Sequence, residues 1–250
     1  MTGTKKLSPS WRLTAASLSS WRKHLKAFTL VTAAVAIPAN LIQLGTPSGD
    51  SSLSAYLSIA AIVMNLALIW TVVQIESGHK VKLADSYYKG TASFVRFLLV
   101  SMLIVVELVP LALGLLLYSV GVVGAAPGTV ALEKGFVGLL ALLLAAPSLW
   151  LVNRSVLALI VAPATELAPI AAVRQSWRSV KGHSWQVLRR LGSLILAALL
   201  LVAIPALVLV YLYDRTTNRG FLALLQVFTS LVILPFINLY LYKLYRELTA

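Results

Sequence analysis

Residues 97–120 read FLLVSMLIVVELVPLALGLLLYSV, a run in which Glu107 is the single charged side chain. A helix needs about 20 consecutive apolar residues to cross the hydrocarbon core of a bilayer, so this run predicts a transmembrane helix. Similar runs contain Pro38 and Pro205 near their centres. Each of the three runs follows a basic, aromatic-bearing stretch and precedes a short loop and a second apolar run. The layout predicts three helical hairpins built on one plan.

The composition supports an integral membrane protein. Hydrophobic residues make up 59% of the chain and charged residues only 12%, whereas a soluble domain carries about 25% charged residues. We therefore predict an all-α, polytopic membrane bundle of six transmembrane helices in three hairpin repeats, forming one membrane domain over residues 1–250. The predicted spans are 27–44, 55–75, 97–120, 135–155, 192–213 and 221–242.

The distribution of positive charge predicts the orientation. Seventeen of the 21 lysine and arginine residues lie in the N-terminal segment, the second and fourth loops and the tail. The loops on the opposite side hold only Lys134, Arg215 and Arg219. Since basic loops stay cytoplasmic, both termini are expected in the cytoplasm of a plasma-membrane protein, with short external loops at 45–54, 121–134 and 214–220.

The N-terminus allows an alternative interpretation. A basic stretch, an apolar run and Ala34-Val35-Ala36 also resemble a cleavable secretory signal. We favour a retained first span, because the leading region is long and the apolar run continues past Pro38. Residues 1–26 are then a cytoplasmic amphipathic segment.

Three amphipathic stretches precede the first, third and fifth spans. Apolar residues recur at helical spacing against basic ones, with Trp11 and Leu18 in the first stretch, Tyr87 and Tyr88 in the second, and Ile170 and Trp177 in the third. Such helices lie in the membrane interface. One interpretation is that these helices only orient the hairpins. The other is that they also bind anionic lipid or a partner protein. The candidate lipid contacts are Arg22, Lys23, Lys26, Lys89, Arg96, Arg174, Arg178, Lys181, Arg189 and Arg190.

A candidate polar site lies within the spans. Glu107 is expected near the bilayer midplane, where an ionisable side chain is costly and often functional. Arg154, beside Asn153, could pair with it if the two helices adjoin. The alternatives are a buried structural ion pair, a protonated Glu107 that donates to the backbone of a neighbouring helix, and a transport or proton-coupling group. We interpret the prolines, including Pro147 and Pro235, as kinks that help the helices pack, and Asn65, Gln226 and Asn238 as interhelical hydrogen-bonding groups.

Other functional classes have little support. The net charge of +13 is concentrated beside the apolar runs, which favours lipid headgroups over nucleic acid. The chain has no cysteine, and its three histidines lack metal-ligand spacing. No phosphate-binding loop or nucleophile motif is present. We predict a protein that is not an enzyme and has no cofactor or metal.

A series of short motifs carries a resemblance to known proteins. They are Ala162-Pro163-Ala164-Thr165-Glu166 and the following Ala171-Ala172, Ser176-Trp177 and Val180-Lys181-Gly182, with weaker echoes at Ser86-Tyr87 and Lys89-Gly90. In these motifs the chain resembles the membrane domain attached to some glycerophosphodiester phosphodiesterases, and stand-alone six-helix bacterial membrane proteins of the YciC type. The resemblance implies a helical membrane fold and a bacterial origin. The phosphodiesterase activity resides in a separate soluble barrel and is not implied.

These observations lead to two functional hypotheses. The first is a non-enzymatic protein that organises the membrane, interacts with lipid or assists another component; a protein partner or a second copy of the chain stays open. The second is a small-solute or lipid transporter that uses Glu107 within the bundle.

Overall fold

A computed structural model describes residues 8–45, 51–124, 130–212 and 219–249, and every regular element in these ranges is a helix. The helices are α1 (Ser10–Lys23), α2 (Leu25–Gly45), α3 (Ser51–Glu76), α4 (Leu83–Thr91), α5 (Phe94–Tyr118), α6 (Ala131–Ser155), α7 (Ala158–Thr165), α8 (Pro169–Val180), α9 (Ser184–Leu212) and α10 (Arg219–Thr249). A π-helical turn at Ser119–Val123 follows α5. Part of each predicted external loop lies outside the described residues, namely 46–50, 125–129 and 214–218, and the last of these ranges contains Arg215.

Six stretches are long and apolar enough to cross a membrane, which confirms the prediction of a helical, multi-pass membrane protein. They are Leu25–Gln43, Ser52–Glu76, Phe94–Val123, Ala131–Thr165, Ser184–Ala203 and Val227–Thr249. The fourth is longer than predicted, because the chain turns at residues 156–157 and continues as α7.

Helices α3 and α10 form the centre of the bundle. Among the described residues, 39% of the apolar stretch of α3 and 44% of that of α10 are buried inside the bundle. Only 11% of the stretch formed by α6 and α7 is buried. One core cluster joins α2, α3 and α10 through Phe28, Leu68 and Leu239. A larger one includes Phe236 and Tyr240 of α10 and the first turns of α7. The apolar surface that stays exposed is suited to contact with lipid tails.

The short helices α1, α4 and α8 pack through small residues. Ser17, Ser86, Ala172 and Ser176 are almost completely buried, and a Cβ atom on Gly90 of α4 would lie 2.9 Å from the carbonyl oxygen of Leu66. Small side chains let two helix backbones approach closely. By contrast, large members of the predicted apolar faces, Trp11, Tyr88 and Ile170, are exposed.

Tyr87 fastens α4 to α2. Its hydroxyl donates to the carbonyl oxygen of Val31 at 2.6 Å, and Ser86 on the same helix accepts from Thr71 of α3 at 3.1 Å. Burial of the Tyr87 phenol disfavours its charged form and raises its pKa to about 12.

Arg190 is placed differently from the prediction. It was expected to meet lipid headgroups, but it is only 3% exposed and its Nη1 lies 2.9 Å from Glu247 Oε2. It also donates to the carbonyl oxygen of Ser8. A basic residue at the end of a span can face either lipid or a neighbouring helix, and here α10 supplies a carboxylate. The prediction of a lipid contact for Arg190 was therefore wrong.

A second charged group connects α1, α3 and α10. The Glu76 carboxylate lies 3.4 Å from Lys243 Nζ and 3.9 Å from Arg246 Nη1. It also accepts a hydrogen bond of 3.1 Å from the hydroxyl of Ser20. Together with Arg190 and Glu247, this group joins the chain's first and last described helices at one end of the bundle.

Two polar groups inside the spans form hydrogen bonds between helices. Leu111 follows Pro110, and its N–H donates to Ser148 Oγ on α6 at 3.0 Å, as expected when a neighbouring helix compensates for a proline. Asn238 Nδ2 donates to Asn65 Oδ1 at 2.8 Å. The side chains of Pro205 and Gln226 lie outside the described residues.

Candidate functional site

Close packing of α5 against α6 brings the predicted polar residues together. A Cβ atom on Gly114 would lie 2.6 Å from the carbonyl oxygen of Ala141, so the missing side chain permits this approach. Because the two helices are antiparallel, Glu107 of α5 then lies beside the last turn of α6, which carries Asn153, Arg154 and Ser155.

Glu107 binds Ser155 rather than Arg154. The Ser155 hydroxyl donates to Glu107 Oε1 at 2.7 Å, and no ion pair between described residues includes Glu107. The ion pair with Arg154 that adjoining helices would have allowed is therefore not formed among the described residues. Neighbouring side chains on a helix point about 100° apart, so Ser155 and Arg154 cannot both face α5.

Trp177 of α8 reaches the same hydroxyl. Its indole N–H donates to Ser155 Oγ at 2.8 Å, and the adjacent Ser176 donates to the carbonyl oxygen of Arg154. Ser155 is thus hydrogen-bonded to both Glu107 and Trp177 while completely buried. The basic helix α8 is fixed to the last turn of α6 by two successive residues.

Arg154 lies against an aromatic ring. Its guanidinium carbon is 3.8 Å from the centroid of the Trp150 ring, one turn earlier on α6, a distance typical of a cation–π interaction. Trp150 in turn meets Trp177 edge to face, with ring centroids 6.4 Å apart and an interplanar angle of 64°. The two indoles and the guanidinium form one contiguous group.

Asn153 connects α6 to the start of α9. Its Nδ2 donates to the carbonyl oxygen of Ser184 at 3.0 Å, and the residue is only 5% exposed. Among the described residues its Oδ1, which is buried, has no hydrogen-bond partner, and the same is true of Glu107 Oε2, Arg154 Nε and His183 Nε2. Buried polar atoms normally have a partner, so this junction of α5, α6 and the turn before α9 has unused hydrogen-bonding capacity.

The other predicted lipid contacts are spread over the surface of the short helices and the segments that follow them. Arg22, Lys23, Lys26, Lys89, Arg174, Arg178, Lys181 and Arg189 are exposed, and Arg96 is partly exposed. The ion pairs among the described residues include none of these nine. Lys89 Nζ lies 5.6 Å from the centroid of the Trp70 ring. The structure does not gather these cations into one pocket.

Sequence reasoning missed Ser155, Trp150 and the bridging position of Trp177. Trp177 was interpreted as an interfacial aromatic residue, and Trp150 and Ser155 were not selected. The spacing of four between Trp150 and Arg154 was a usable signal, because residues at i and i+4 are neighbours on a helix. Hydrogen bonding by Ser155 to two other helices could not be predicted without the packing.

The chemistry available at this junction is binding by hydrogen bonds and positive charge. In the part of the chain that the structure describes, no group of three or more histidine, aspartate and glutamate residues could hold a metal ion. No known protein family matches the chain, and no curated protein or solved structure is significantly similar to it.

Proposed function

We propose that this chain is a non-enzymatic, multi-pass plasma-membrane protein that binds anionic lipids on its cytoplasmic side and acts as a membrane-organising or accessory component. In this proposal the bundle consists of three hairpin units, each headed by an amphipathic helix (α1, α4 or α8), and both termini are cytoplasmic. The resemblance to six-helix bacterial membrane proteins belongs to the same proposal.

The observation that supports it best is the unpaired positive charge on and after the short helices. Nine of the ten predicted lipid-contacting cations are at least partly exposed, and none of the nine forms an ion pair within the described residues. A basic group near the surface of an anionic membrane gains about 1 kcal/mol. Several such groups would together favour anionic over zwitterionic lipid.

Exposed aromatic residues lie beside these cations. Trp11 on α1, Tyr88 on α4 and Trp185 at the start of α9 are 66%, 80% and 68% exposed. Tryptophan and tyrosine are enriched at headgroup depth, where the ring meets apolar atoms and the polar atom meets water. Their positions on the surface fit helices that lie in the interface.

The test compares lipid-dependent stability of purified protein. Phosphatidylglycerol should raise the melting temperature more than phosphatidylcholine, and the triple variant Arg174→Gln, Arg178→Gln, Lys181→Gln should reduce that difference. The double variant Arg174→Lys, Arg178→Lys keeps the charge and should behave as the wild type. Equal stabilisation of the wild type by the two lipids would contradict the proposal.

A transporter is the second candidate function, and one observation favours it. Glu107 Oε2 is buried and has no hydrogen-bond partner in the described part of the chain, as expected of a carboxylate that exchanges a proton or contacts a solute. We rank it second because the other oxygen of Glu107 is bound to Ser155, which also anchors α8. That arrangement is sufficient for a structural role.

The Glu107→Gln variant separates the two candidates. A transporter that uses this carboxylate would lose proton-linked uptake in proteoliposomes while its melting temperature in detergent stays unchanged. A structural role predicts altered stability and no dependence of uptake on a proton gradient in either protein.

A further inference from the structure

We propose that Arg154, held on Trp150, binds the phosphate group of an anionic phospholipid. This inference rests on the proposed lipid-binding function and assigns it a specific site, separate from the exposed cations of α1, α4 and α8. The partner-free Nε of Arg154 and its aromatic support are the features that single it out.

The guanidinium of Arg154 is positioned but not neutralised. It lies 3.8 Å from the Trp150 centroid, and the ion pairs among described residues do not include it. Its Nε is buried and finds no hydrogen-bond partner among the residues that the structure describes. Glu107, the nearby carboxylate that could have paired with it, is instead bound by Ser155. A fixed positive charge with free donors is suited to an anionic oxygen.

The support for this cation is rigid, because three contacts between α6 and α8 hold it in place. Trp150 contacts Trp177 edge to face, the Trp177 N–H is bound to Ser155, and Ser176 binds the carbonyl oxygen of Arg154. Ordering an arginine side chain on binding costs conformational entropy. Stacking on Trp150 in the free protein reduces that cost.

The position along α6 agrees with headgroup depth. Helix α6 begins at Ala131, so Arg154 lies about 35 Å farther along its axis at 1.5 Å per residue. The hydrocarbon core is about 30 Å thick. A helix that enters the membrane near Ala131 therefore brings Arg154 to the opposite boundary. Asn153 also contacts Ser184, where the apolar stretch of α9 starts.

A phosphate group is the ligand chemistry that fits best. The planar guanidinium donates two parallel hydrogen bonds to phosphate oxygens, and Trp150, half exposed, offers an apolar surface to the adjoining glycerol and acyl carbons. At a membrane boundary the abundant phosphate is that of a lipid. A soluble phosphate would use the same donors, so the experiment must distinguish these two sources.

The experiment measures lipid retained by purified protein in native mass spectrometry. Wild type, Arg154→Gln, Arg154→Lys and Trp150→Phe are each titrated with phosphatidylglycerol and with phosphatidylcholine. Lys80→Gln is the control for general surface charge, because Lys80 is an exposed cation outside the proposed lipid contacts and has no ion-pair partner among the described residues. Thermal unfolding of every variant is recorded in parallel. A last series adds inorganic phosphate at millimolar concentration.

We expect Arg154→Gln to weaken phosphatidylglycerol binding about tenfold, the effect of roughly 1.4 kcal/mol, and Lys80→Gln to change it less than about twofold. Arg154→Lys should bind with intermediate affinity, since it keeps the charge without the planar donors. If Arg154→Gln does not fold, Arg154→Lys and Trp150→Phe provide the comparison. Phosphatidylcholine binding should not change in any variant.

Three results would overturn the inference. Equal losses in Arg154→Gln and Lys80→Gln would assign the effect to general surface charge and leave the proposed function intact. Binding of inorganic phosphate that displaces the lipid and is lost in Arg154→Gln would assign the site to a soluble anion. No preference of the wild type for phosphatidylglycerol over phosphatidylcholine would reject the proposed function together with the site.

Discussion

Glu107 of α5 and Trp177 of α8 are joined by a single hydroxyl group, that of Ser155. Ser155 Oγ donates to Glu107 Oε1 at 2.7 Å and accepts from Trp177 Nε1 at 2.8 Å. The carboxylate inside a predicted span is thus connected to a short basic helix that precedes the next span. A substitution of either residue therefore removes a hydrogen bond from Ser155, and Ser155 is the direct partner of the other residue.

The Ser155→Ala variant should lower the free energy of unfolding. Without the hydroxyl, both Glu107 and Trp177 lose a buried partner, and an unsatisfied buried polar group costs about 1–3 kcal/mol. Unfolding in mixed detergent micelles, followed by tryptophan fluorescence, measures the loss. The control is Ser101→Ala, because Ser101 donates only to the carbonyl oxygen of Phe97 in its own helix. Equal losses in the two variants would contradict a bridging role for Ser155.

The Gly114→Ala variant should disrupt the α5–α6 contact. The added Cβ atom would lie 2.6 Å from the carbonyl oxygen of Ala141, and a backbone atom can move away only by separating the helices. Overpacking of this kind costs about 1–3 kcal/mol. The same unfolding experiment tests it.

Gly138→Ala is the control for that prediction, since it lies on α6 and its Cβ would meet only Val122 Cγ2, at 3.8 Å. Because alanine favours helix over glycine by about 0.5–1 kcal/mol, this variant should be neutral or slightly stabilised. Destabilisation by Gly138→Ala as large as by Gly114→Ala would mean that the close approach is unimportant.

The spans could be predicted from the sequence, because the length of an apolar run depends directly on the thickness of the bilayer. The sequence did not allow us to predict which faces of the short helices α1, α4 and α8 pack against the bundle. In a membrane bundle, lipid and protein interior are equally apolar, so a large apolar residue such as Ile170 does not reveal which side it faces. The contact of α4 with α3 is instead determined by small residues such as Ser86 and Gly90. A search for periodic hydrophobic residues does not select these.

The candidate site was only partly predictable for a related reason. Glu107, Asn153 and Arg154 were selected because polar residues are rare in apolar runs, and the structure places all three at the junction of α5 and α6. Their partners depend on helix rotation, which sequence spacing across two helices does not determine. Arg189 and Arg190 show the same effect of helix rotation. Although they are adjacent, Arg190 faces the Glu247 carboxylate and Arg189 lies on the surface.

This difference between Arg189 and Arg190 can be measured. Arg190→Gln removes the buried cation that pairs with Glu247 at 2.9 Å, and breaking a buried pair costs about 3–5 kcal/mol. Glu247 is 22% exposed, so we expect a value at or below the lower end of that range. Arg189→Gln, at an exposed position, should change the free energy of unfolding by less than about 0.5 kcal/mol. Similar effects of the two substitutions would show that the pair with Glu247 contributes little.

Burial of the Tyr87 phenol predicts that the free energy of unfolding of the protein falls at high pH. Its folded-state pKa is about 12, raised by burial from the ordinary value of 10.0. The folded state therefore favours the neutral phenol, and the hydroxyl can donate to Val31 only while it keeps its proton. Below pH 10 this contribution to stability is complete, and it is lost progressively as the pH rises from about 10 to about 12.

Absorbance of tyrosinate near 295 nm, measured as the wild type minus Tyr87→Phe, should titrate with a midpoint near 12. The unfolding free energy of Tyr87→Phe should also fall less steeply than that of the wild type over the same pH interval. Tyr88→Phe removes the hydroxyl of an adjacent side chain that is 80% exposed, and it should leave the late ionisation in place. A difference titration centred near pH 10 would instead mean that the Tyr87 phenol is hydrated, and that α4 is not held against Val31 of α2 in the membrane.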